Sequence, residues 1–138
     1  PFESVFASHS RQYNRGHNEL EVSAMCQFTL ADEVLASASI DYLRPAAAPS
    51  HGDDWFRVVG TEGVLEATGE RVTLINARGE RELPAACDRK IFSDFAICVR
   101  DGRRAMLNAA AAFAVTRACL LARQSADEGR MIRFREQE

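Results

Sequence analysis

The fold is decided by one stretch of the chain, HGDDWFRVVGTEGVLE, residues 51–66. A polar loop at 51–54 leads into a predicted strand at 54–59, and a second predicted strand at 64–68 returns beside it. The connection Gly60–Gly63 begins and ends with glycine, which readily adopts the positive φ of tight turns. The stretch therefore predicts an antiparallel hairpin that is entered from a polar loop.

Period-two alternation predicts more strands on both sides of this hairpin. Residues 19–30 alternate between apolar and polar side chains, and the alternation resumes at residues 34–43 after a short turn. These runs predict a second antiparallel hairpin with one apolar face and one face of small or polar side chains. The small or polar face contains Ser23, Met25, Gln27, Ser37 and Ser39. Shorter runs predict strands at 4–8, 71–76 and 80–83.

The apolar spacing then changes to three and four residues, which predicts helices. The first predicted helix ends at Gly102 and has an apolar stripe of Ile91, Phe92, Phe95, Cys98 and Val99. The second runs from 109 to 125, with Asn108 as its N-cap and Gly129 beyond its end. Its predicted buried side consists of Ala112, Phe113, Val115, Thr116, Cys119, Leu120 and Ala122. Residues 131–134 are a candidate final edge strand.

Strands that precede helices along the chain predict the α+β class. We expect one domain over residues 1–138, a mostly antiparallel open sheet with helices packed on one face. The spacing leaves two alternatives for the other face, which is either solvated or packed against another subunit.

Length and composition limit the classes of function. A chain of 138 residues can bury a core of ordinary size. Its net charge of −3 gives no electrostatic footprint for nucleic acid or a membrane surface. No apolar run approaches the roughly 20 residues that span a bilayer, and no signal-peptide pattern is present, so we expect a cytoplasmic protein.

Few residues offer catalytic chemistry. Sixteen of the seventeen basic residues are arginine, which leaves Lys90 as the only lysine. No GxGxxG, GxxxxGK[ST], GxSxG or HExxH motif occurs. The compact group His51, Asp53 and Asp54 has two interpretations. It either faces a substrate or metal, or it belongs to a turn before the strand, in which the side chains hydrogen-bond nearby backbone N–H groups. The cysteines Cys26, Cys87, Cys98 and Cys119 lack CxxC spacing. Cys26, Cys98 and Cys119 lie at apolar periodic positions, so we expect buried free thiols there rather than metal ligands or disulfides.

Several segments, taken in order, resemble the C-terminal domain of Gfo/Idh/MocA oxidoreductases. They are IDYLRP at 40–45 with HGDD at 51–54, VVGTEGVLE at 58–66, IFSDF at 91–95 and ARQSADEG at 122–129. The resemblance covers the chain from about residue 18 onward. It implies an open sheet whose exposed face builds oligomers, and a parent enzyme that moves hydride between NAD or NADP and a sugar, inositol or related polyol.

The departures from the family pattern concern catalysis. The family binds its dinucleotide on an N-terminal Rossmann domain, and its catalytic lysine lies in a Glu-Lys-Pro motif that Arg89-Lys90-Ile91 does not match. No segment matches the family's catalytic histidine either. We therefore assign no catalytic, cofactor-binding or metal-binding residue, and we expect a domain truncated at its N-terminal side. Arg44, His51 and Asp53 are the candidate substrate-binding residues.

Two interpretations follow from the sequence. In the first, the chain is the substrate-side and oligomerisation domain of such an oxidoreductase and is inactive without the Rossmann domain. In the second, it is a stand-alone, non-catalytic binding or scaffold domain of the same fold. The first predicts a homo-oligomer that contacts itself through the open sheet face.

Overall fold

The computed structural model describes residues 1–49, 52–69, 71–84 and 90–134. The chain forms two compact units, one from residues 1–45 and 104–138 and the other from residues 46–103. Each unit contains one four-stranded sheet in which every strand pairing is antiparallel. The predicted α+β class with mostly antiparallel sheet is therefore confirmed.

The first sheet has the strand order β3-β2-β1-β8. Its strands are β1 (Phe2–Ser10), β2 (Ser23–Leu30), β3 (Leu35–Asp41) and β8 (Ile132–Arg133). The second sheet has the order β4-β5-β6-β7. Its strands are β4 (Trp55–Gly60), β5 (Gly63–Thr68), β6 (Arg71–Asn76) and β7 (Gly79–Leu83). The helices are α1 (Ile91–Asp101) and α2 (Ala109–Glu128).

The alternation in β2 and β3 places their side chains as predicted. Cys26 lies opposite Ala7 of β1 and Ala38 of β3, so these residues share one face. Helix α2 packs on this face over β1 and β8. The core consists of Val5, Ala7, Ala122 and Ile132, with Cys26, Phe28, Leu121, Ala126 and Phe134 packed against it. Hence the prediction of helix packing on one sheet face is confirmed for the first sheet.

The strand predicted from residue 19 begins only at Ser23. Three successive turns precede it, closed by backbone N–H groups of Asn14, His17 and Leu20 that donate to the carbonyls three residues earlier. Left-handed backbone at Tyr13, Arg15 and Asn18 supports these turns. The prediction of a strand at residues 19–22 is therefore wrong. Polar and apolar residues can also follow one another in tight turns, so four alternating residues do not identify a strand.

The hairpin at 55–68 closes more tightly than its sequence predicts. Gly60 pairs directly with Gly63, so only Thr61 and Glu62 form the connection. A Cβ atom at Gly63 would lie 2.6 Å from the carbonyl oxygen of Ile75 on β6. Glycine is required here because the neighbouring strand approaches its backbone closely.

The residues that cap the helices are those predicted from the sequence. The Asn108 Oδ1 atom accepts from the Ala111 backbone N–H at 3.1 Å and caps α2. Gly102 and Gly129 adopt left-handed backbone, with φ of 64° and 63°, and end α1 and α2. Helix α2 continues to Glu128, three residues past its predicted end.

The predicted buried side of α2 was wrong except at Ala122. The fully buried residues are Ala118, Ala122 and Ser125, whereas Phe113 is 74% exposed and Leu120 is 65% exposed. Apolar residues occur all round this helix, so their spacing cannot identify the inner face. The inner face is marked instead by the small residues Ala118, Ala122 and Ser125, because small side chains let the helix backbone approach the sheet closely.

The helix predicted from the apolar stripe before Gly102 is confirmed as α1, but most of that stripe is exposed. The buried residues of this helix are Asp94 and Cys98, and the Cys98 Sγ lies 3.8 Å from Asp94 Oδ1. Ile91, Phe92 and Val99 are exposed. Cys26, Cys98 and Cys119 are free thiols as predicted, and Cys98 is buried. Cys26 is only half-buried and Cys119 is exposed, so the prediction of burial was wrong for Cys119. Cys87 lies outside the described residues.

The Ser125 hydroxyl joins α2 to the sheet and is fully buried. It accepts a hydrogen bond from the Ala7 backbone N–H at 3.0 Å and donates one to the Arg130 carbonyl at 2.6 Å. Val5 pairs with Ile132 of β8. The N–H of Ala7, two residues further along β1, points to the same side as that of Val5. At this position β8 has no residue whose carbonyl could accept it. Ser125 supplies the missing acceptor.

We expect Ser125→Ala to lower the free energy of unfolding by about 1–3 kcal/mol, because it leaves the buried Ala7 N–H without a partner. Chemical denaturation of both proteins measures this loss. Thr116→Ala is the matched control, since the Thr116 hydroxyl bonds only its own helix, to the Ala112 carbonyl, on an exposed face. Equal stability of the two variants would contradict the assigned role of Ser125.

Candidate functional site

The candidate substrate residues lie in the connection between β3 and β4. Asp53 is exposed in the second unit, and Arg44 is half-buried in the first unit, with its Nε atom shielded from solvent. His51 lies outside the described residues. The grouping of these three residues into one substrate site therefore stays a prediction.

The segment that leads from β3 to Arg44 is held by two hydrogen bonds. Asp41 Oδ1 accepts from the Leu43 N–H at 3.0 Å, an Asx-type turn that ends the strand. The Tyr42 N–H donates to the Val22 carbonyl at 2.8 Å. These bonds fix the backbone immediately before Arg44, so its side chain starts from a defined position.

The face of the first sheet opposite α2 is open. Met25 pairs with Ser39, and Gln27 pairs with Ser37, so the small and polar side chains share this face as predicted. Among them Met25 is 67% exposed and Leu35 is 80% exposed. Phe6 and Leu35 line a shallow cavity of about 330 Å³ with Gln27, Ser37 and Met131. We call this surface the open face; it combines small side chains with exposed apolar ones.

A charge network joins the turns after β1 to helix α2. Glu21 Oε1 lies 3.2 Å from Arg11 Nη2 and 3.1 Å from Arg123 Nη2. Arg123 Nε also donates to Asp127 Oδ2 at 2.8 Å, and His9 Nε2 lies 3.6 Å from Asp127 Oδ1. The sequence did not reveal this network, because Glu21 and Arg123 are 102 residues apart.

The network shifts the ionisation of Glu21 and Arg123. A backbone hydrogen bond lowers the pKa of the Glu21 carboxyl most, and Arg11 and Arg123 lower it further against the opposing effect of desolvation. The hydrogen bond to Asp127 raises the pKa of Arg123, with the charges of Asp127 and Glu21 acting in the same direction. Both shifts favour the charged forms, so the ion pair of Glu21 with Arg123 is intact at neutral pH.

We expect Glu21→Gln to lower the urea midpoint at pH 7 and to lower it less near pH 3. The pKa of Glu21 is lower in the folded chain, so its stabilisation is complete above the unfolded value of 4.5 and is lost as the pH falls through the folded value. Urea titrations at both pH values test this. Glu62→Gln, in the exposed connection of the β4–β5 hairpin, is the control. A difference of the same size at both pH values would exclude the proposed linkage.

The described residues do not fit a dinucleotide site. Such a site needs a parallel strand followed by a Gly-rich loop and a helix N-terminus. Here both sheets are antiparallel, α1 follows Lys90 and α2 follows Asn108. Within the described ranges, no three His, Cys, Asp or Glu side chains are grouped to hold a metal ion. In the same ranges, no helix has the length and apolar character needed to cross a membrane.

Solved oxidoreductase structures match almost the whole chain. A Thermotoga maritima protein designated an oxidoreductase is 46% identical, with a TM-score of 0.93 over 97% of this chain and 41% of that one. Aldose-aldose oxidoreductase from Caulobacter crescentus, complexed with glycerol, is 20% identical, with a TM-score of 0.76 over 96% of this chain and 41% of that one. Levoglucosan dehydrogenase, complexed with NADH and L-sorbose, is 14% identical, with a TM-score of 0.77 over 99% of this chain and 45% of that one.

No protein-family model matches the sequence, and no curated protein matches it. The chain spans less than half the length of each of the three structures. The two distant structures establish the fold alone, and the Thermotoga protein adds similarity in sequence. The chain has the fold of the C-terminal domain of the Gfo/Idh/MocA oxidoreductases, as the resemblance in its sequence predicts.

Proposed function

We propose that this chain is the substrate-side and oligomerisation domain of a cytoplasmic NAD(P)-dependent oxidoreductase. The parent enzyme moves hydride between the nicotinamide and a sugar, inositol or related polyol. The chain alone does not perform this reaction, because the nicotinamide is bound by a domain outside these 138 residues.

One observation carries the proposal. The Thermotoga oxidoreductase matches 97% of this chain at 46% identity, yet the match covers only 41% of that protein. The remaining part of such an enzyme is long enough for a dinucleotide domain, and the described residues here lack the strand, loop and helix that bind one. These observations support the proposed division of the reaction between two domains.

The substrate class is supported by the chemistry of the candidate residues. A carboxylate such as Asp53 accepts hydrogen bonds from hydroxyl groups, and the guanidinium of Arg44 donates them, so both suit a ligand with many hydroxyls. Two neighbours of the same fold are complexed with glycerol and with L-sorbose, which are ligands of this kind. In our proposal, Arg44, His51 and Asp53 form part of the substrate wall.

We expect the full-length enzyme to reduce NAD or NADP with a polyol substrate, and Asp53→Asn to raise KM for the polyol without changing KM for the nucleotide. The loss of one charged hydrogen bond to a hydroxyl corresponds to roughly a tenfold change. Absorbance of the reduced nicotinamide measures both constants across a panel of sugars and inositols.

Glu62→Gln serves as the control in this assay, because Glu62 lies in the hairpin connection away from the candidate residues in sequence. If the 138-residue chain alone binds NADH in calorimetry, the proposed division between domains is wrong. If the full-length protein binds a polyol but transfers no hydride to either nucleotide, the chain belongs to a non-catalytic binding protein.

We also propose that the open face is a contact between two copies of the enzyme. Along β2 and β3 this face carries serines at positions 23, 37 and 39, which leave it low enough for a second sheet to approach. Met25, Leu35 and Phe6 are exposed on it and would lose contact with water in a dimer. The charged residues of this face, Asp41 and Arg133, lie on its outer strands β3 and β8, away from Met25 on β2.

We expect Met25→Glu to raise the dissociation constant of the oligomer by at least about tenfold, because the new carboxylate would be buried without a partner. Ile40→Glu is the matched control: Ile40 is similarly exposed on the same sheet but lies opposite Ala24, on the other face. Sedimentation equilibrium of the full-length enzyme measures both variants. An unmutated enzyme that stays monomeric at high concentration would refute the contact.

A further inference from the structure

The backbone that leads to Arg44 is fastened to the first sheet at Val22, the residue before β2. The Val22 carbonyl accepts from the Tyr42 N–H at 2.8 Å, and the Val22 N–H donates to the Ser10 carbonyl at 2.9 Å. Val22 is buried. This residue therefore joins the end of β1 to the segment after β3, and a displacement of Val22 is passed directly to Tyr42.

Glu21, the residue before Val22, is held from two directions. Its carboxylate lies 3.2 Å from the guanidinium of Arg11, in the turns after β1, and 3.1 Å from that of Arg123, on α2. Glu21 is partly buried, whereas both arginines are exposed. Ion pairs that form a network around a shielded centre restrain their members more than isolated surface pairs do. Glu21 thus ties the backbone at Val22 to helix α2.

A continuous set of contacts connects α2 to the candidate substrate arginine. It runs through Arg123, Glu21, Val22, Tyr42 and Arg44, all of which belong to the first unit. A guanidinium donates a good hydrogen bond only over a donor–acceptor distance of about 2.7–3.2 Å. A backbone displacement of about 1 Å before Arg44 is therefore enough to weaken its contact with a ligand hydroxyl.

We propose that Glu21 is a positioning residue for the substrate. Held between Arg11 and Arg123, its carboxylate fixes Val22 and, through the hydrogen bond to Tyr42, sets the place of the Arg44 guanidinium. Glu21 acts through Arg44 rather than by contact with the substrate. This inference rests on the proposed function, in which Arg44 is part of the substrate wall.

Steady-state kinetics of the full-length enzyme with L-sorbose and with myo-inositol test the inference. We expect Arg44→Ala to raise KM for the polyol about tenfold, because a charged hydrogen bond is lost. Glu21→Gln should raise it about fivefold and leave KM for the nucleotide unchanged. In the Arg44→Ala background, Glu21→Gln should cause no further rise, because the guanidinium through which it acts is missing.

Glu128→Gln is the matched control for these assays. It makes the same chemical change on α2 and breaks the ion pair of Glu128 with Arg130, which takes no part in the contacts between Arg123 and Arg44. We expect its KM for the polyol to equal that of the unmutated enzyme. An equal rise in Glu128→Gln, or a rise from Glu21→Gln that persists in full without Arg44, would overturn the proposal.

Hydrogen exchange gives a second readout, which needs no substrate. The Tyr42 amide, bonded to the Val22 carbonyl, should exchange about fivefold faster in Glu21→Gln than in the unmutated enzyme. The Ala7 amide, bonded to the Ser125 hydroxyl in the same unit, is the internal control. Equal acceleration of both amides would show a general loss of stability and would refute a positioning role for Glu21.

The pattern of results separates this inference from the proposed function. If Arg44→Ala raises KM and Glu21→Gln does not, the positioning role alone is refuted. If Arg44→Ala leaves KM unchanged, Arg44 is not in the substrate wall, and the inference fails with that assignment. An enzyme that transfers no hydride with either polyol refutes the oxidoreductase. Calorimetric affinities for the same polyols then take the place of KM, and equal affinities of Glu21→Gln and the unmutated protein refute the positioning role.

Discussion

The buried Ser125 hydroxyl sets the position of α2 on the first sheet. Its two hydrogen bonds join the β1 backbone to the segment after α2. A hydroxyl suits this place because it accepts from one backbone group and donates to another. A longer side chain would hold the helix further from the strand, and Ala118 and Ala122 could not then pack as closely as they do.

This close approach explains why the first sheet has two different faces. Helix α2 lies over β1 and β8 and packs on the apolar side of β2, so the core is concentrated at Val5, Ala7 and Ile132. Strand β3 is exposed along its whole length, and the opposite face of the sheet has no helix from the same unit. Met25 and Leu35 therefore stay exposed on that face, and exposed apolar surface of this kind is typical of binding sites for other chains or domains.

The sequence predicted the strands better than the helix faces. Period-two alternation has a single interpretation when one face is buried, and the partners of Met25 and Gln27 across β3 follow from it. In α2, apolar residues surround the helix, and the inner face is selected by small side chains whose role depends on the β1 backbone. The ion pair of Glu21 with Arg123 depends on the same tertiary arrangement. No local pattern could have predicted it.

The candidate substrate residues could be named from the sequence, but only through the resemblance to a family. Without that resemblance, Asp53 is equally well explained as a turn residue whose carboxylate hydrogen-bonds nearby backbone N–H groups. The Asx-type turn at Asp41 restrains the backbone before Arg44, and this restraint is visible only in the structure.

The open face of the first sheet is neutral only in its middle. There it carries serines and Gln27 beside the exposed Met25. Asp41 lies opposite Ser23 on the outer strand β3, and Arg133 lies opposite Ser4 on the outer strand β8, so both charged residues share this face. In the proposed contact between two copies, the neutral middle can meet itself without repulsion. The two charges lie at the margins, where they need not be buried.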